Sequence, residues 1–432
     1  MKKILYITYY WPPSGGAGVQ RSLKFIKYLP EFGIEPIVLT VNAEKASYPL
    51  LDPTLEKEVS SNLQVIRTYS FEALQVMSMM GKKQQIPYGG FANPGKEKFS
   101  QKVLRFIRGN FFIPDARKGW VDYAVKAAQS IIAEQGIDTI VISSPPHSSQ
   151  LIGLKLKKKL PSLRWIADLR DPWTDIYYYK DMLHTFPAKR KDARYEREVL
   201  EQCSAAVVVS DEIKLLFEKK SAKISKENIH VIPNGYDESD FQTLQKLSRE
   251  TFLITYVGTI ADSYNPQVFF SVFHDLLKDY PFMRIRFVGS VSGQVMQCIE
   301  QYGLKENVEL IGHVSHEVAI QHMQNSAVLL LVIPEVKNDK GILTGKLFEY
   351  LGSKRPVLGI GPEDGDAAKI LNASKAGKMF SREQKSEMEK WLKDAVGKWK
   401  ADATFGVEHV NVEQYSRREL SRKLAAVILN EI

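Results

Sequence analysis

Short apolar runs alternate along the chain with longer segments in which apolar residues recur every three or four positions. A short run of about four to eight apolar residues is typical of a buried strand, and the longer period is typical of an amphipathic helix. Strands and helices in alternation predict a parallel sheet covered by helices. The sequence therefore predicts an α/β fold.

The first half of the chain contains this alternation several times. The predicted strands are Lys3–Tyr9, Pro36–Val41, Thr139–Ser143, Trp165–Asp168, Ala205–Val209 and Ile229–Ile232. The predicted helices are Gly18–Leu29, Val121–Glu134 and Leu151–Lys158. Between Ser47 and Asp115 the pattern loosens, and this indicates a long insertion of functional or mobile character. Its interruptions are Gly81, Pro87, Gly89, Gly90, Pro94 and Gly95.

A second series of alternations follows a polar segment, Glu238–Glu250, which we interpret as a linker. The predicted strands are Phe252–Val257, Met283–Val288, Val308–Leu310, Ala327–Ile333 and Pro356–Ile360. The predicted helices are Phe269–Leu277, Glu317–Asn325 and one beginning near Gly345, and further helices are expected after Lys385.

The two series predict two doubly wound, Rossmann-like domains. Their expected bounds are 1–240 and 241–411, and a helix within 412–432 is expected to pack back on the first domain. Sheets of this kind bind ligands outside the carboxyl ends of their strands, so two facing domains would form a cleft with one ligand on each side.

Composition adds few constraints. The 432 residues include only two cysteines, Cys203 and Cys298, which are far apart and not in metal-ligand spacing, so a reducing, cytoplasmic location is expected. The N-terminal apolar run is followed by Pro12-Pro13 without a cleavage site, and we interpret it as a strand and not as a signal peptide. No apolar run reaches transmembrane length.

The formal charge of +9 is compatible with nucleic acid, an anionic membrane or phosphorylated ligands. Lys189-Arg190-Lys191, Arg194 and Arg197 follow the aromatic stretch Ile176–Tyr179. This combination is typical of a peripheral membrane contact, and a solvated helix face is the alternative. No helix-turn-helix, zinc-finger or aromatic RNA-binding pattern is present, which argues against nucleic acid.

The segment Gly341–Gly359 is the most informative in the sequence. Thr344 and Gly345 precede a predicted helix start whose backbone N–H groups favour an anion, and Lys346 adds a positive charge there. Glu349, one turn later, has the position to accept hydrogen bonds from a ribose diol. This arrangement predicts a nucleoside diphosphate site, with an exposed Lys and Glu on a helix as the alternative.

A glycine-rich loop follows the first predicted strand and contains Gly15, Gly16, Gly18 and Arg21. Its spacing differs from Gly-x-Gly-x-x-Gly, and no carboxylate ends the second strand, which argues against a nicotinamide enzyme. We interpret the loop as a phosphate or acceptor site, and a turn that needs glycine for its geometry alone is the alternative.

Charged residues gather where a strand of the first domain ends. Asp168, Arg170 and Asp171 follow one strand, and we take Asp171 and Arg170 as catalytic candidates, with an Asp168–Arg170 ion pair as the structural alternative. His147 follows another strand, either as an active-site donor or as a helix-capping turn residue.

One set of histidines is a decoy. His316-Glu317 and His322 resemble a zinc protease sequence, but the second histidine would have to lie four residues after the first, and six residues turn a helix by about 240°. No metal site is therefore expected.

Together these motifs resemble the retaining glycosyltransferases of family 4, which have the GT-B fold and include bacterial polysaccharide and lipopolysaccharide enzymes. The motifs are Arg170–Trp173, Ile232–Asp237, Tyr256–Thr259, Leu310–Val314 and Lys346–Leu351 with Pro356-Val357, besides the glycine loop. The resemblance implies a C-terminal domain that binds a nucleotide-diphosphate sugar. It also implies that Glu349 holds the ribose and that the N-terminal domain takes a glycan or lipid-linked acceptor.

The same resemblance implies further donor-binding residues and a mechanism. The donor-binding set is Gly258, Thr259, His313, Lys340, Thr344, Gly345, Lys346 and Glu349. Retention is expected to proceed by front-face attack, with a donor phosphate oxygen taking the acceptor proton. Neither a metal nor another cofactor is expected, because lysines and helix N-termini can neutralise the leaving diphosphate.

Two positions depart from the family pattern. Gly341 stands where a second glutamate often contacts the donor sugar, and Thr259 stands where an arginine that binds diphosphate is common. These departures leave open a protein that binds a nucleotide sugar without turning it over. A sugar-nucleotide epimerase, which shares the two-domain cleft, is a second alternative.

Overall fold

The computed structural model describes residues 1–72, 99–241, 247–402, 405–406 and 409–432. The chain divides into two compact units. Unit 1 comprises Met1–Asn234 with Arg417–Ile432, and unit 2 comprises Gly235–Ser416. The glycines and prolines between Gly81 and Gly95 that interrupt the sequence pattern lie outside the described residues, as does part of the predicted linker.

Unit 1 is built on a parallel sheet of seven strands in the order β3-β2-β1-β4-β5-β6-β7. The strands are β1 (Lys2–Thr8), β2 (Ile34–Val41), β3 (Val65–Thr68), β4 (Thr139–Ser144), β5 (Arg164–Leu169), β6 (Ala205–Val208) and β7 (Ile229–Val231). The helices are α1 (Ala17–Tyr28), α2 (Phe99–Phe111), α3 (Val121–Gln135), α4 (Gln150–Lys159), α5 (Phe186–Gln202), α6 (Asp211–Glu218) and, from the C-terminus, α13 (Arg417–Leu429).

Unit 2 contains a parallel sheet of six strands in the order β10-β9-β8-β11-β12-β13. The strands are β8 (Phe252–Val257), β9 (Met283–Val288), β10 (Val308–Gly312), β11 (Val328–Val332), β12 (Val357–Ile360) and β13 (Gly377–Phe380). The helices are α7 (Gln267–Leu276), α8 (Gly293–Gln301), α9 (His316–Gln324), α10 (Gly345–Ser353), α11 (Asp366–Ala373) and α12 (Lys385–Ala401).

Alternating side chains of the central strands enter different cores on the two faces of each sheet. In β1, Leu5 and Ile7 belong to one buried cluster, and Ile4 and Tyr6 belong to another. A parallel strand is covered by helices on both faces, and for this reason such strands are continuous apolar runs. Leu420 and Leu424 of α13 lie in the same cluster as Ile4, so the C-terminal helix completes the core of unit 1.

Every predicted strand and helix is present, and each begins and ends within two residues of its predicted bounds. The predicted fold class, including the return of the C-terminal helix to the first unit, is confirmed. The sequence analysis missed β3 and α2, which lie within the loosened segment, and also α5, α6, α8, α11 and β13. No described helix has both the length and the apolar character needed to cross a bilayer.

Candidate functional site

In each unit the strand order reverses beside the first strand of the sheet, between β1 and β4 in unit 1 and between β8 and β11 in unit 2. The crevice outside the carboxyl ends of the strands at such a reversal is the usual ligand site of a doubly wound sheet. Two predicted residues follow strands at these reversals, His147 after β4 and Gly258 after β8, and two follow strands further along the same edges, Asp171 after β5 and His313 after β10.

The N-terminus of α10 is the most developed part of unit 2. Thr344 is the N-cap residue, yet its hydroxyl does not cap the helix, and within the described part of the chain this buried oxygen has no hydrogen-bond partner. The first N–H groups of a helix lack intrahelical acceptors and carry partial positive charge. The hydroxyl and these N–H groups together form a set of donors for an anionic oxygen.

Lys346 lies in the first turn of α10 and is fixed by aromatic groups of other elements. Its Nζ donates to the hydroxyl of Tyr256 at 2.5 Å, and this hydroxyl donates to the carbonyl of Thr259 at 2.9 Å. Nζ also lies 4.1 Å from the ring centroid of Tyr256 and 5.6 Å from that of Tyr264. These contacts hold the ammonium group in one place at the end of β8.

Gly258 allows this approach. Its φ of 104° is in the region that favours glycine, and a β-carbon there would lie 3.3 Å from Nζ of Lys346. Burial lowers the pKa of Lys346 to about 7, and the charge of Glu349 opposes this shift. The ammonium group is therefore destabilised until an anion arrives.

The other predicted donor residues of unit 2 differ in their surroundings. Glu349 is partly buried on α10, and its Oε1 lies 3.9 Å from Nδ1 of His316. Nε2 of His313 is 2.8 Å from Oγ of Ser290, at the ends of β10 and β9. Lys340 forms an exposed ion pair with Asp364.

In unit 1 the structure separates the charged residues into two groups. Asp168 is buried and pairs with Arg21, whose Nη2 lies 2.9 Å from Oδ1. Arg170 instead donates to the carbonyls of Ser144 and Pro145 at 3.1 and 3.2 Å. The Asp168–Arg170 ion pair offered as the structural alternative is therefore wrong.

Arg21 is a structural group in this arrangement. It donates to the carboxylate of Asp168, to the carbonyls of Ile232 and Pro233 and to the side chain of Asn234. Its planar fork has five N–H donors, and these acceptors account for them. The predicted role of Arg21 as a phosphate or acceptor ligand is therefore not supported.

The glycines of the same loop have local packing reasons. A β-carbon at Gly18 would lie 2.2 Å from Nη1 of Arg170, so only glycine lets this guanidinium rest on the start of α1. Gly16 has a φ of 101° at the N-cap of α1, and Gly15 packs against Leu50 and Asp52. Geometry alone accounts for these glycines, and a ligand role for them stays a prediction.

The positive charge of Arg170 acts on both His147 and Asp171. The ring of His147 stacks on Trp173, with centroids 4.5 Å apart, and its buried Nδ1 has no hydrogen-bond partner within the described residues. Burial, followed by the charge of Arg170, lowers the pKa of His147 to about 3, so the imidazole is neutral at physiological pH. Burial raises the pKa of Asp171, and Arg170 opposes this shift.

Trp173 and Asp192 support this group; the sequence analysis placed Trp173 in a family motif without assigning it a role, and it missed Asp192. Trp173 has a φ of 35°, a strained value for a non-glycine residue, and its Nε1 donates to Asp192 at 2.9 Å. Tyr179 donates to the other oxygen of Asp192 at 2.9 Å, and burial raises the pKa of this carboxyl to about 7. Asp192 thus helps to hold the ring on which His147 stacks.

Two further groups of unit 2 were missed. Tyr256 belongs to the family motif Tyr256–Thr259, but its place in an apolar strand made it resemble a core residue. His316 was considered only as a zinc ligand, and the described residues contain no cluster of three His, Cys, Asp or Glu side chains suited to a metal. Both residues could have been found from their positions, because Tyr256 places a hydroxyl at the end of a strand and His316 places an imidazole at the start of a helix.

The comparisons with known proteins agree with this architecture. Residues 89–240 match the model of Glycosyltransferase Family 4. The match covers about a third of the chain and confirms the family resemblance over that segment. No curated protein matches the sequence.

Solved structures show the fold over the whole chain. HepE of Anabaena, solved with UDP, has a TM-score of 0.63 at 13% identity, with 100% of both chains covered. The lipopolysaccharide outer core galactosyltransferase WaaB has a TM-score of 0.58 at 13% identity, again with 100% of both chains covered. A Listeria monocytogenes protein described as a candidate UDP-N-acetylglucosamine 2-epimerase has a TM-score of 0.56 at 12% identity, with 100% and 97% covered. The GT-B fold predicted from the motifs is confirmed.

Proposed function

We propose that this protein transfers a sugar from a nucleotide-diphosphate sugar to a glycan or lipid-linked acceptor, with retention of anomeric configuration, in the synthesis of a cell-surface polysaccharide. Unit 2 is the donor-binding part and unit 1 the acceptor-binding part. The observation that carries the proposal is the N-terminus of α10, where Thr344, Lys346 and Glu349 occur within two turns and the Thr344 hydroxyl has no hydrogen-bond partner among the described residues. HepE, a structural neighbour, was solved with UDP and with UDP-glucose, which supports the same ligand class here.

The arrangement fits a leaving diphosphate. Helix N–H groups and Lys346 would stabilise the charge that develops as the sugar bond breaks, and Glu349 would fix the ribose. In front-face attack the acceptor oxygen bonds to the anomeric carbon from the side on which the diphosphate leaves, so no protein nucleophile is needed. A phosphate oxygen of the leaving diphosphate takes the acceptor proton, so no protein base is needed either. Asp171 and Arg170 are proposed to orient the acceptor hydroxyl or to stabilise positive charge on the sugar, and neutral His147 is proposed as a hydrogen-bonding group.

Calorimetric titration with UDP, GDP, ADP and CMP tests the donor site. We expect one diphosphate to bind selectively at micromolar concentration, and the protein is then incubated with the matching nucleotide sugars in the presence of EDTA. Free nucleoside diphosphate and a glycoside of unchanged anomeric configuration support metal-independent retaining transfer. An inverted glycoside contradicts retention, and dependence on added Mg²⁺ contradicts the metal-independent mechanism.

Two other outcomes would favour the rival functions. The Listeria neighbour motivates an epimerase, which would return an altered nucleotide sugar without releasing the diphosphate. Gly341 and Thr259 motivate a non-catalytic protein, which would bind the nucleotide sugar tightly and release no product from any acceptor.

The affinity for the diphosphate is expected to depend on pH through Lys346. Since burial lowers the pKa of Lys346 to about 7, the free site loses its cation as the pH rises, and a bound diphosphate restores the proton. We expect the affinity to fall about fivefold from about pH 7 to about pH 8, with proton uptake on binding. Calorimetry in buffers of different ionisation enthalpy measures both.

Lys346→Arg is the matched variant for this prediction, because a guanidinium stays charged throughout this pH range. Lys346→Arg should abolish the pH dependence of the affinity. Lys346→Met should weaken binding of the nucleoside diphosphate more than binding of the monophosphate of the same nucleoside. The same pH dependence in Lys346→Arg would contradict the assignment.

Asp171 is expected to act in turnover and not in donor affinity. Asp171→Asn keeps the shape of the half-buried carboxyl but removes its charge, and we expect turnover to fall on the order of a hundredfold while the nucleotide dissociation constant is unchanged. Release of nucleoside diphosphate in the presence of acceptor measures this effect. Asp138→Asn, at a surface ion pair with Lys2, is the control, and equal activity of both variants would return Asp171 to a structural role.

The acceptor half of the proposal includes contact with an anionic membrane surface. Phe111 at the end of α2 is 73% exposed and Phe186 at the start of α5 is 77% exposed. Asn110 joins the two regions, since it donates to the carbonyl of Leu183 at 3.1 Å and accepts from the Thr185 N–H at 2.7 Å. We call this the α2–α5 surface.

Basic side chains lie beside these apolar ones. Lys189 and Arg190 are exposed three and four residues after Phe186, on the same face of α5. Exposed aromatic rings next to cations suit an interface of anionic lipids, where rings insert and cations meet headgroups.

Cosedimentation with vesicles tests this contact. Phe111→Ser with Phe186→Ser should weaken binding to phosphatidylglycerol vesicles by about a hundredfold or more, because full burial of each ring contributes roughly 2 kcal/mol. Leu215→Ser, at another exposed apolar residue of unit 1, is the control. Unchanged binding of the double variant, or equal binding to neutral vesicles, would contradict an anionic-membrane role for this surface.

A further inference from the structure

His316 is the first residue of α9 and lies between two carboxylates from other elements. Its Nε2 is 3.1 Å from Oδ2 of Asp240, which belongs to the short turn Glu238–Phe241. Its Nδ1 is 3.9 Å from Oε1 of Glu349 on α10. The backbone at this point is fixed, since Ser315 caps α9 by accepting from the Val318 N–H.

The protonation of the two ring nitrogens determines how His316 interacts with each carboxylate. An ionised carboxylate only accepts hydrogen bonds, so Nε2 carries the proton that Asp240 receives. The second nitrogen then faces Glu349 at a distance beyond a hydrogen bond. The Glu349 contact is attractive when Nδ1 is also protonated, because an imidazolium balances the carboxylates on its two sides.

We infer that His316 is a positioning residue for Glu349, anchored by Asp240, so that the Asp240–His316–Glu349 array sets the carboxylate of Glu349 for a ribose diol. This inference rests on the proposed function, in which Glu349 binds the ribose. His316 is not a catalytic residue in this account, because it acts through Glu349 and contacts no reacting atom.

The competing explanation is an ordinary surface ion pair. The side chains of His316 and Asp240 are 39% and 28% exposed, and such pairs contribute little to stability. An ion pair of that kind would change neither the discrimination between ligands nor the effect of a second mutation at Glu349. Both quantities therefore separate the two explanations.

A double-mutant cycle makes this test. The affinities of wild-type protein, His316→Ala, Glu349→Ala and the double variant are measured for the tightest-binding nucleoside diphosphate among UDP, GDP and ADP. The same diphosphate with a 2′-deoxyribose and inorganic pyrophosphate serve as probes that lack part or all of the diol. His322→Ala, a histidine on the same helix that contacts Arg286, is the control.

We expect His316→Ala to weaken the ribonucleoside diphosphate about five- to tenfold and pyrophosphate by less than about twofold. In the Glu349→Ala background the same substitution should cost less than about twofold, because the residue through which it acts is gone. Asp240→Asn should cause a smaller loss of affinity for the ribonucleoside diphosphate and, like His316→Ala, should affect pyrophosphate less.

Additive losses in the cycle, or equal losses for pyrophosphate, would overturn the inference while leaving the proposed function intact. Failure of wild-type protein to bind any of the three diphosphates would overturn the proposed function and the inference with it. Glu349→Ala could lose the preference for the ribonucleotide over the 2′-deoxyribonucleotide while His316→Ala keeps it. That result would retain Glu349 as the ribose ligand and reject His316 as its positioning residue.

Discussion

Glu349→Ala is expected to reduce nucleoside diphosphate affinity about a hundredfold, which corresponds to roughly 3 kcal/mol. The carboxylate would accept two hydrogen bonds from the ribose diol, and hydrogen bonds to a charged group are each worth about 1.5 kcal/mol or more. Glu349 is partly buried, so water does not fully replace these bonds when the side chain is removed. Titration calorimetry with the tightest-binding diphosphate measures the loss.

Ligands without a diol provide the internal control for this prediction. Pyrophosphate affinity should change little in Glu349→Ala, because the N-terminus of α10 and Lys346 are untouched. Glu317→Ala, an exposed glutamate in the first turn of α9, is the matched variant and should bind like wild-type protein. Unchanged diphosphate affinity in Glu349→Ala would reject the ribose assignment.

The fold was predictable where burial on both faces makes the pattern simple. β8 and β9 were predicted to the residue because each is a short run in which nearly every side chain is buried or half-buried. β3 was missed, since it is a four-residue edge strand with half-exposed side chains and no apolar run. α5 was missed because mixed charge along its length conceals the buried positions Asp192, Glu196, Val199 and Leu200.

Site residues could be predicted where the local backbone determines their role. The partners of long side chains could not be predicted, because several residues that are distant in sequence can pair with them. Thr344 and Lys346 follow from the start of a helix, which is local in sequence, and Gly258 was predicted from the family resemblance. Arg21 and Asp168 are separated by 147 positions, and their pairing depends on the order of strands in the sheet. The neighbouring Arg170 offered a local and incorrect partner for Asp168.

The buried pair of Arg21 and Asp168 should have the largest effect on stability. The exposed fractions of the two side chains are 1% and 2%. Arg21→Met would leave the carboxylate of Asp168 buried with Ser143 as its remaining side-chain donor, together with unpaired carbonyls at Ile232 and Pro233. Breaking a buried pair on one side costs about 3–5 kcal/mol. We expect a loss of this size in the unfolding free energy of unit 1.

Hydrogen exchange of peptides from β1 and β5 measures this loss within unit 1, which matters because a chain of two units need not unfold in one step. Arg418→Met is the control, since Arg418 pairs with Glu31 at the surface and such pairs contribute about 0–1 kcal/mol. The double variant Arg21→Met with Asp168→Leu should recover part of the loss, because it removes the uncompensated charge. If Arg21→Met were no more destabilising than Arg418→Met, while nucleotide or acceptor binding were lost, Arg21 would be a ligand-binding residue as the glycine-rich loop first indicated.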